Sequence, residues 1–202
     1  MKRSKSINLD RMRKTKHTPF KPLAVVVAAS AMVACDEPRQ AQIYSDIDHC
    51  VRDNPSLIEA CELAYEEAMV KAAESGPKYQ TKDSCVAEFG VNNCVPYQAS
   101  ESQNWFMPAM AGFMFARAID RNGYHSAPLF TSFSRYSPVY NKWTTVDGNL
   151  YGRRRYGPVS VGSDVFKPKP VVTRTISRGG FGSTVSAKSR WSGSSSRSGW
   201  GG

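Results

Sequence analysis

Apolar residues recur along residues 57–75 with helical spacing, and this pattern predicts the longest helix of the chain. Ser56 and Glu59 fit a capping box at its start, and Gly76 fits its end. The apolar positions lie three and four residues apart, as one face of a helix requires: Cys61, Ala64, Tyr65, Ala68, Met69 and Ala72.

Residues 105–116 are apolar on every side of a helical wheel, and we expect them to form a short apolar helix. Such a helix either docks on the 57–75 helix and completes the core, or contacts a partner or the membrane interface. Small residues permit close helix contact, and methionines give an adaptable surface. The candidate interaction residues here are Trp105, Met107, Met110, Gly112 and Met114.

Residues 124–156 are rich in aromatic side chains among Ser, Pro and Asn. Asp147 followed by Gly148 is typical of a hairpin turn, so we expect a short hairpin or an irregular packed segment. The aromatic rings either cover a thin core or line a groove for a glycan or peptide.

The last 50 residues contain 9 Gly and 11 Ser, which predicts a disordered low-complexity tail. Only residues 171–176 alternate as a strand does. Residues 178–182, Arg-Gly-Gly-Phe-Gly, resemble the arginine-glycine segments of RNA-binding proteins. In an exported protein, Arg178 would instead contact anionic phospholipid, lipopolysaccharide or the chain's own acidic domain. The alternative is a solvated tail without a partner.

These patterns together predict a mainly α-helical fold. Short helices are also expected over residues 46–51 and 81–90, so a small disulfide-stapled helical domain spans 44–97. It is followed, in our interpretation, by a linker and the apolar helix (98–123), the aromatic-rich segment (124–156) and the tail (157–202).

The first 34 residues have the features of an export signal. Eight basic residues and one acidic residue precede a short apolar run over residues 22–34. This run is too short to span a bilayer, which needs about 20 residues. Ala31-Met-Val-Ala-Cys35 resembles a lipobox, so we predict cleavage before Cys35 and lipidation of its thiol, with residues 35–43 as a tether. An ordinary signal peptide cut nearby, and a cytosolic protein with a basic arm, are the alternatives.

Removing the leader changes the charge balance. The formal net charge of +10 falls to about +3 for residues 35–202, which hold 19 basic and 16 acidic residues. Residues 35–149 carry 9 basic and 15 acidic side chains, whereas residues 150–202 carry 10 basic and one acidic. An acidic domain is therefore followed by a basic segment.

Four cysteines remain after Cys35, and all lie within a 45-residue stretch: Cys50, Cys61, Cys85 and Cys94. In an oxidising compartment an even number of cysteines predicts two disulfides. Three pairings are open; we favour Cys50 with Cys61 and Cys85 with Cys94, because short loops close most easily. A zinc site is the competing interpretation, but the usual Cys-x-x-Cys spacing is missing.

No sequence motif predicts a catalytic, cofactor-binding or metal-binding residue. A nucleophile elbow, a Walker sequence and a dinucleotide fingerprint are all missing from the sequence. His49 is expected on a helix surface. Glu62 and Glu66 have the helical spacing of a carboxylate pair, but a solvated acidic face is the simpler explanation.

Four segments carry a resemblance that follows the chain in order: residues 76–90, 105–117, 127–130 and 178–182. They resemble the YgiB/YjfM family of enterobacterial proteins of unknown function. It implies a small exported lipoprotein, often encoded beside an ATP-grasp ligase resembling glutathionylspermidine synthase. Met32 departs from the Leu-Ala-Gly-Cys form expected of relatives. Asp36, directly after Cys35, resembles the enterobacterial signal for inner-membrane retention, with the outer membrane as the alternative.

Two functional hypotheses follow. The first is a non-enzymatic envelope lipoprotein, held to the membrane by lipid on Cys35, that binds an envelope protein or an anionic surface. The second is an envelope enzyme or accessory factor for peptides or polyamine conjugates that uses the acidic helix and His49. Nucleic acid is not expected as a partner, because export removes the chain from it.

Overall fold

The computed structural model of the protein describes residues 39–100, 103–117, 123–176 and 180–193. The described residues form α-helices α1 (Ile47–Asp53), α2 (Ile58–Ser75), α3 (Lys82–Phe89) and α4 (Gly180–Gly193) and a 3-10 helix at Ser163–Phe166. The strands are β1 (Arg39–Tyr44), β2 (Cys94–Ser100), β3 (Gln103–Pro108), β4 (Gly112–Arg117), β5 (Tyr124–Leu129), β6 (Lys142–Thr144), β7 (Leu150–Arg153) and β8 (Gly157–Val161).

An antiparallel sheet with the strand order β5–β4–β1–β8 organises the fold. Tyr44 of β1 pairs with Phe113 of β4, and Gln42 of β1 pairs with Pro158 of β8. β2 pairs with β3, and β6 with β7, as two further antiparallel pairs. The sheet thus joins strands that are more than 100 residues apart in the chain.

Both faces of the sheet are buried. Phe113 and Phe115 of β4 pack in a cluster with Ala64 and Ala68 of α2, whereas Met114 and Ala116 point into a second cluster. The small side chains of α2 let the helix approach the sheet closely. The second cluster is built from buried side chains of the four sheet strands and of later segments: Ala41, Ile43, Met114, Ala116, Ala127, Leu129, Trp143, Val161, Val165 and Phe166.

The prediction of a mainly α-helical fold is wrong, and so is the predicted apolar helix at 105–116. These residues belong to β3 and β4. Because β4 is buried on both faces, it has no polar side, and such a run does not distinguish a strand from a buried helix by periodicity. Pro108 lacks the amide hydrogen of a helical residue. At Gly112, an added Cβ would lie 2.6 Å from the Tyr44 carbonyl oxygen of the neighbouring strand.

The three predicted helices are confirmed close to their expected bounds, but the capping box is wrong. Leu57 is the N-cap of α2, and no side chain caps it. The two shorter helices do have side-chain caps: Asp46 accepts from the His49 amide, and Thr81 accepts from the Ser84 amide. Capping by these short polar side chains satisfies amides that have no partner within the helix.

The favoured cysteine pairing is confirmed. Cys50 bonds Cys61 and joins α1 to α2, and Cys85 bonds Cys94 and joins α3 to β2. Each bridge closes a loop of about ten residues, which the chain-entropy account values at about 3 kcal/mol. The two bridges therefore secure the helical side of the sheet.

The hairpin expected at Asp147 and Gly148 is also confirmed, as β6 and β7. Gly148 has a φ of +80°, a left-handed conformation that favours glycine. The Asp147 carboxylate accepts hydrogen bonds from Thr145, Asn149 and Lys169. Burial raises the pKa of Asp147, but the hydrogen bonds from Thr145 and Lys169 outweigh it and hold the pKa below its ordinary value.

The expectation of a disordered tail is wrong for residues 157–176 and 180–193. Residues 157–161 form β8 on the sheet edge, and α4 buries Phe181 and Val185. Residues 171–176 do not form the expected strand; Val172 donates its amide to the Glu74 carbonyl, and Ile176 donates to the Lys78 carbonyl. Residues 39–44, placed largely in the tether by the sequence, form β1.

Candidate interaction groove

An apolar groove lies between α2 and the β2–β3 hairpin, and we call it the methionine groove. Its volume is about 300 Å³. Mostly apolar side chains, three of them methionines, line it from α2, β2, β3 and the residues after β3: Tyr65, Met69, Ala72, Ala73, Val95, Met107, Pro108, Ala109 and Met110. It is open to solvent through Met69 and Val95, which are 47% and 40% exposed.

The groove exists because α2 has two apolar faces. Ala64 and Ala68 face the sheet and are buried, whereas Met69 and Ala73 flank that contact and face the hairpin. Burial of the first face stabilises the helix on the sheet. Among the described residues, the second face contacts only the β2–β3 hairpin. Part of its apolar surface therefore stays exposed to solvent.

Buried Lys78 lies directly behind the groove. Its side chain is fully buried, and its ammonium donates to the Ala73 carbonyl and contacts the Met107 sulfur at 3.7 Å. The ring of Tyr97 lies 4.0 Å from the Lys78 nitrogen, and Trp105 stacks on Tyr97. Within the described residues no carboxylate lies within ion-pairing distance of Lys78. Burial lowers the pKa of Lys78 to about 8.

The free energy of unfolding should rise with pH between about 8 and 10.5, and Lys78→Met should remove this rise. The ordinary pKa is 10.5, so the unfolded chain binds more protons than the folded protein in this interval, and stability increases with pH. The free energy of unfolding gained between pH 8 and 10.5 is at most about 3 kcal/mol. Urea unfolding of both proteins across this interval measures it.

Exposed Lys82→Met is the matched control for this charge removal. Its pH dependence should follow the unsubstituted protein, including the effect of tyrosine ionisation above pH 10, which all three proteins share. Equal slopes for Lys78→Met and Lys82→Met would show that Lys78 does not carry the effect.

The structure brings some of the sequence-predicted interaction residues together and places others in the core. Met107 and Met110 line the groove, and Trp105 supports its wall through Tyr97. Met114 is fully buried on the far side of the sheet, and Gly112 is buried against β1. Arg178 lies outside the described residues, and so does Cys35.

His49 and the α2 carboxylates do not meet. The His49 ring packs between Tyr44 and Tyr156 and lies 3.9 Å from the Asp53 carboxylate. Glu62 and Glu66 are exposed on α2. No group of three or more metal-ligating side chains occurs in the described part of the chain.

The arginine-glycine motif has a structural role that the sequence did not indicate. The Glu88 carboxylate accepts hydrogen bonds from the Gly182 amide and the Ser137 hydroxyl, at the positive N-terminal end of α4. A Cβ at Gly180 or Gly182 would lie 2.2 or 2.4 Å from this carboxylate. The glycines therefore allow close approach, and the four-residue spacing of Phe181 and Val185 was the signal for a packed helix.

A second, acidic groove lies on the other side of α2. It measures about 470 Å³ and is lined by side chains that include Glu59, Glu67 and Tyr124. Although burial raises the pKa of Glu67, hydrogen bonds from Lys71 and Ser126 hold it below its ordinary value. Glu67 is thus ionised and held in place at neutral pH.

None of the helices in the described ranges is long and apolar enough to cross a bilayer. This finding concerns residues 39–193 with their gaps and does not extend to residues 1–38.

Comparison with known proteins gives a family without an assigned activity. The family described as "Protein of unknown function (DUF1190)" matches residues 38–192. A UPF0441 protein of Serratia proteamaculans is 38% identical over 213 residues, which cover 98% of this chain and 97% of the relative.

Two further relatives have the same description. A UPF0441 protein of Sodalis glossinidius is 40% identical over 197 residues (92% of this chain, 91% of the relative), and one of Photorhabdus laumondii is 35% identical over 229 residues (98% of each). No solved structure matches the chain. The predicted membership in an uncharacterised enterobacterial family is confirmed, and the chain belongs to the DUF1190 family, whose curated relatives are UPF0441 proteins.

Proposed function

We propose that this protein is an exported lipoprotein of the cell envelope that acts without catalysis, as an interaction or scaffold protein. In this proposal the methionine groove receives an apolar segment of an envelope protein. The observation that carries it is the groove itself, an open apolar surface built by α2 and the β2–β3 hairpin.

The composition of the groove suits a protein partner. Methionine side chains are unbranched and polarizable, so they adapt to differently shaped apolar side chains. The groove walls form one contiguous apolar surface, to which exposed Met69 and Val95 give access from solvent. Contiguous apolar surface of this kind marks interaction sites more often than scattered apolar residues do.

Export is supported by the leader and by the disulfides. The basic and apolar regions of residues 1–34 have the order of an export signal. The two bridges between Cys50 and Cys61 and between Cys85 and Cys94 are typical of proteins that fold in an oxidising compartment. Lipid on Cys35 would then hold the protein to the membrane, and Asp36 favours the periplasmic face of the inner membrane.

Intact mass of the protein from the membrane fraction tests export and lipidation together. We expect loss of residues 1–34, an added diacylglyceryl and acyl mass on Cys35, and a gain of four hydrogen masses on reduction of the two disulfides. Cys35→Ser should abolish the added mass. An unprocessed chain in the cytoplasmic fraction would contradict export, whereas a cleaved but unacylated chain would contradict lipidation alone.

Met69→Lys should abolish partner binding at the groove while leaving the protein folded. Met69 is 47% exposed on α2, so an ammonium is tolerated in the free protein, but a bound partner would bury that charge without a counter-ion. A photo-crosslinking residue at position 69 identifies the partner in intact cells. Affinity of the purified pair should then fall at least about 30-fold in Met69→Lys, because a buried unpaired charge costs more than 2 kcal/mol.

Val70→Lys is the matched control. Val70 is the next residue of the same helix and is 55% exposed, but it does not line the groove. A crosslinker at position 70 should not capture the partner. Equal capture at positions 69 and 70, or equal loss of affinity in the two lysine variants, would be inconsistent with binding in the groove.

The alternative is an envelope enzyme or accessory factor for peptides or polyamine conjugates, and the acidic groove favours it. Glu59 and Glu67 would bind the ammonium groups of a polyamine, and Tyr124 would cover its methylene chain. Saturable binding of a polyamine conjugate that is lost in Glu59→Gln, together with its chemical conversion, would favour this alternative over the scaffold function. The ATP-grasp ligase that the family resemblance implies would be functionally linked to the protein in this alternative.

A further inference from the structure

A contiguous basic and aromatic surface surrounds the open end of the β6–β7 hairpin, and we call it the arginine patch. It lies in the segment 130–156, which holds five basic residues and one acidic residue. The patch consists of exposed side chains from the turn before β6, from both strands and from the residue after β7: Phe133, Arg135, Tyr136, Tyr140, Lys142, Arg153 and Arg154.

Backbone pairing brings these residues together. Tyr140 forms a bridge with Ser132, so the turn between them folds against the hairpin. Lys142 lies directly opposite Arg153, and the Arg154 amide donates to the Asn141 carbonyl at 2.9 Å. The patch is therefore formed by adjacent segments rather than by scattered surface residues.

In the part of the chain that the structure describes, the positive charges of the patch have no acidic partner. No ion pair within 4.0 Å joins a patch cation to a carboxylate among the described residues. Like charges directly opposite each other in an antiparallel pair are destabilising, and Lys142 opposite Arg153 is such a pair. Two acidic side chains of this region have other partners: Glu88 accepts hydrogen bonds from Ser137 and Gly182, and Asp147, at the closed end of the hairpin, accepts from Thr145, Asn149 and Lys169.

The aromatic side chains indicate which anionic partner fits. Tyr136 is 98% exposed, and Phe133 and Tyr140 are 47% and 41% exposed. Tyrosines with an apolar ring and a polar tip favour the interface between lipid headgroups and hydrocarbon. The Arg154 guanidinium lies 5.1 Å from the Phe133 ring centroid and occupies the face that a nucleic acid base would need for stacking.

We propose that the arginine patch binds the anionic headgroup surface of a phospholipid bilayer. The guanidinium groups of Arg135, Arg153 and Arg154 contact lipid phosphates, for which their planar donors are suited, and Tyr136 enters the headgroup layer. The proposal goes beyond the partner-binding groove and does not require lipid on Cys35. It assigns a second membrane contact to the folded domain itself.

Binding of the full chain to vesicles of phosphatidylcholine with phosphatidylglycerol, compared with phosphatidylcholine alone, tests the proposal. We expect binding to the anionic vesicles and at least about tenfold weaker binding by a patch variant, since each basic residue near an anionic surface contributes about fivefold. The patch variant replaces four cations by glutamine: Arg135→Gln, Lys142→Gln, Arg153→Gln and Arg154→Gln.

A control variant removes the same number of charges from exposed positions elsewhere. Its affinity should change less than about threefold, because distant exposed charges are screened. Equal weakening of both variants, or equal binding to the two kinds of vesicle, would overturn the proposal. The control replaces exposed cations outside the patch: Lys82→Gln, Lys167→Gln, Arg174→Gln and Arg190→Gln.

A local probe distinguishes vesicle binding through the patch from binding through the basic leader, which all these variants share. An environment-sensitive fluorescent amino acid incorporated at position 136 should shift its emission to shorter wavelength on addition of anionic vesicles, whereas the same amino acid at exposed position 184 should not. No shift at position 136 would overturn the proposal even if the chain binds vesicles through its leader. Competition by a single-stranded oligonucleotide that also depends on the patch cations would reassign the surface to nucleic acid.

Discussion

Replacing Trp143 with alanine should lower the free energy of unfolding by about 4 kcal/mol, because the large cavity would lie at the centre of the second sheet cluster. The Trp143 side chain is fully buried, and its indole nitrogen donates to the Arg155 carbonyl at 2.7 Å. The substitution removes the packing against the sheet and leaves that carbonyl without its donor. Urea unfolding followed by circular dichroism measures the loss.

Trp105→Ala is the matched control for the loss of an indole ring. Trp105 is half-buried on β3 and packs on Tyr97 at a centroid distance of 6.5 Å, so we expect a loss of no more than about 1.5 kcal/mol. Similar losses at the two positions would show that the β6–β7 hairpin contributes little to the common core.

The helices could be predicted because their signals are local. Along α2, the side chains that pack on the sheet recur at spacings of three and four residues. The many alanines and glutamates of this segment also favour a helix. The disulfide pairing could be predicted for the same reason, since Cys50 and Cys61, and Cys85 and Cys94, close short loops. In both cases the information lies within about 20 residues.

The sheet could not be predicted because its strands are joined by long-range pairing. β1 lies between β4 and β8, and nothing in the sequence of β1 identifies either neighbour. β4 has apolar residues on both faces, since α2 covers Phe113 while Trp143 and its neighbours cover Met114. A strand with one solvated face would have shown alternation, and this one does not.

The candidate groove could be predicted in part. The methionines were identified as adaptable apolar residues, and Met107 and Met110 do line the groove. Lys78 was missed because its burial depends on Tyr97 and Met107, which come from the distant hairpin. The arginine patch was missed for a related reason: Arg154 lies near Phe133 only after the hairpin has folded.

The tail shows how composition misleads when a few residues decide the structure. Gly and Ser are abundant there, yet Phe181 reaches the aromatic cluster of Phe89, and Glu88 binds the start of α4. Lys188 adds an ion pair to Asp147 at 3.5 Å. One aromatic side chain and two acidic anchors thus hold a segment whose average composition is typical of a linker.

Phe181→Ala should detach α4 from the domain. Phe181 is 4% exposed, and its ring centroid lies 6.0 Å from that of Phe89. Its backbone amide donates to the Tyr79 hydroxyl oxygen. Loss of a buried phenylalanine costs about 3–5 kcal/mol, which exceeds what the ion pair between Lys188 and Asp147 contributes. Hydrogen exchange of the α4 amides should rise to nearly unprotected rates while the α2 amides stay protected.

Ser183→Ala is the control for this experiment, because Ser183 is exposed on the same turn of α4 and its hydroxyl contacts only the Gly180 carbonyl. In Ser183→Ala the α4 amides should keep their protection from hydrogen exchange. Gly182→Ala should reproduce the effect of Phe181→Ala, since its Cβ would meet the Glu88 carboxylate and the Pro138 ring at 2.4 and 2.6 Å. Continued protection of α4 in both variants would mean that the helix is held mainly by Val185 and Lys188 instead of by its N-terminal end.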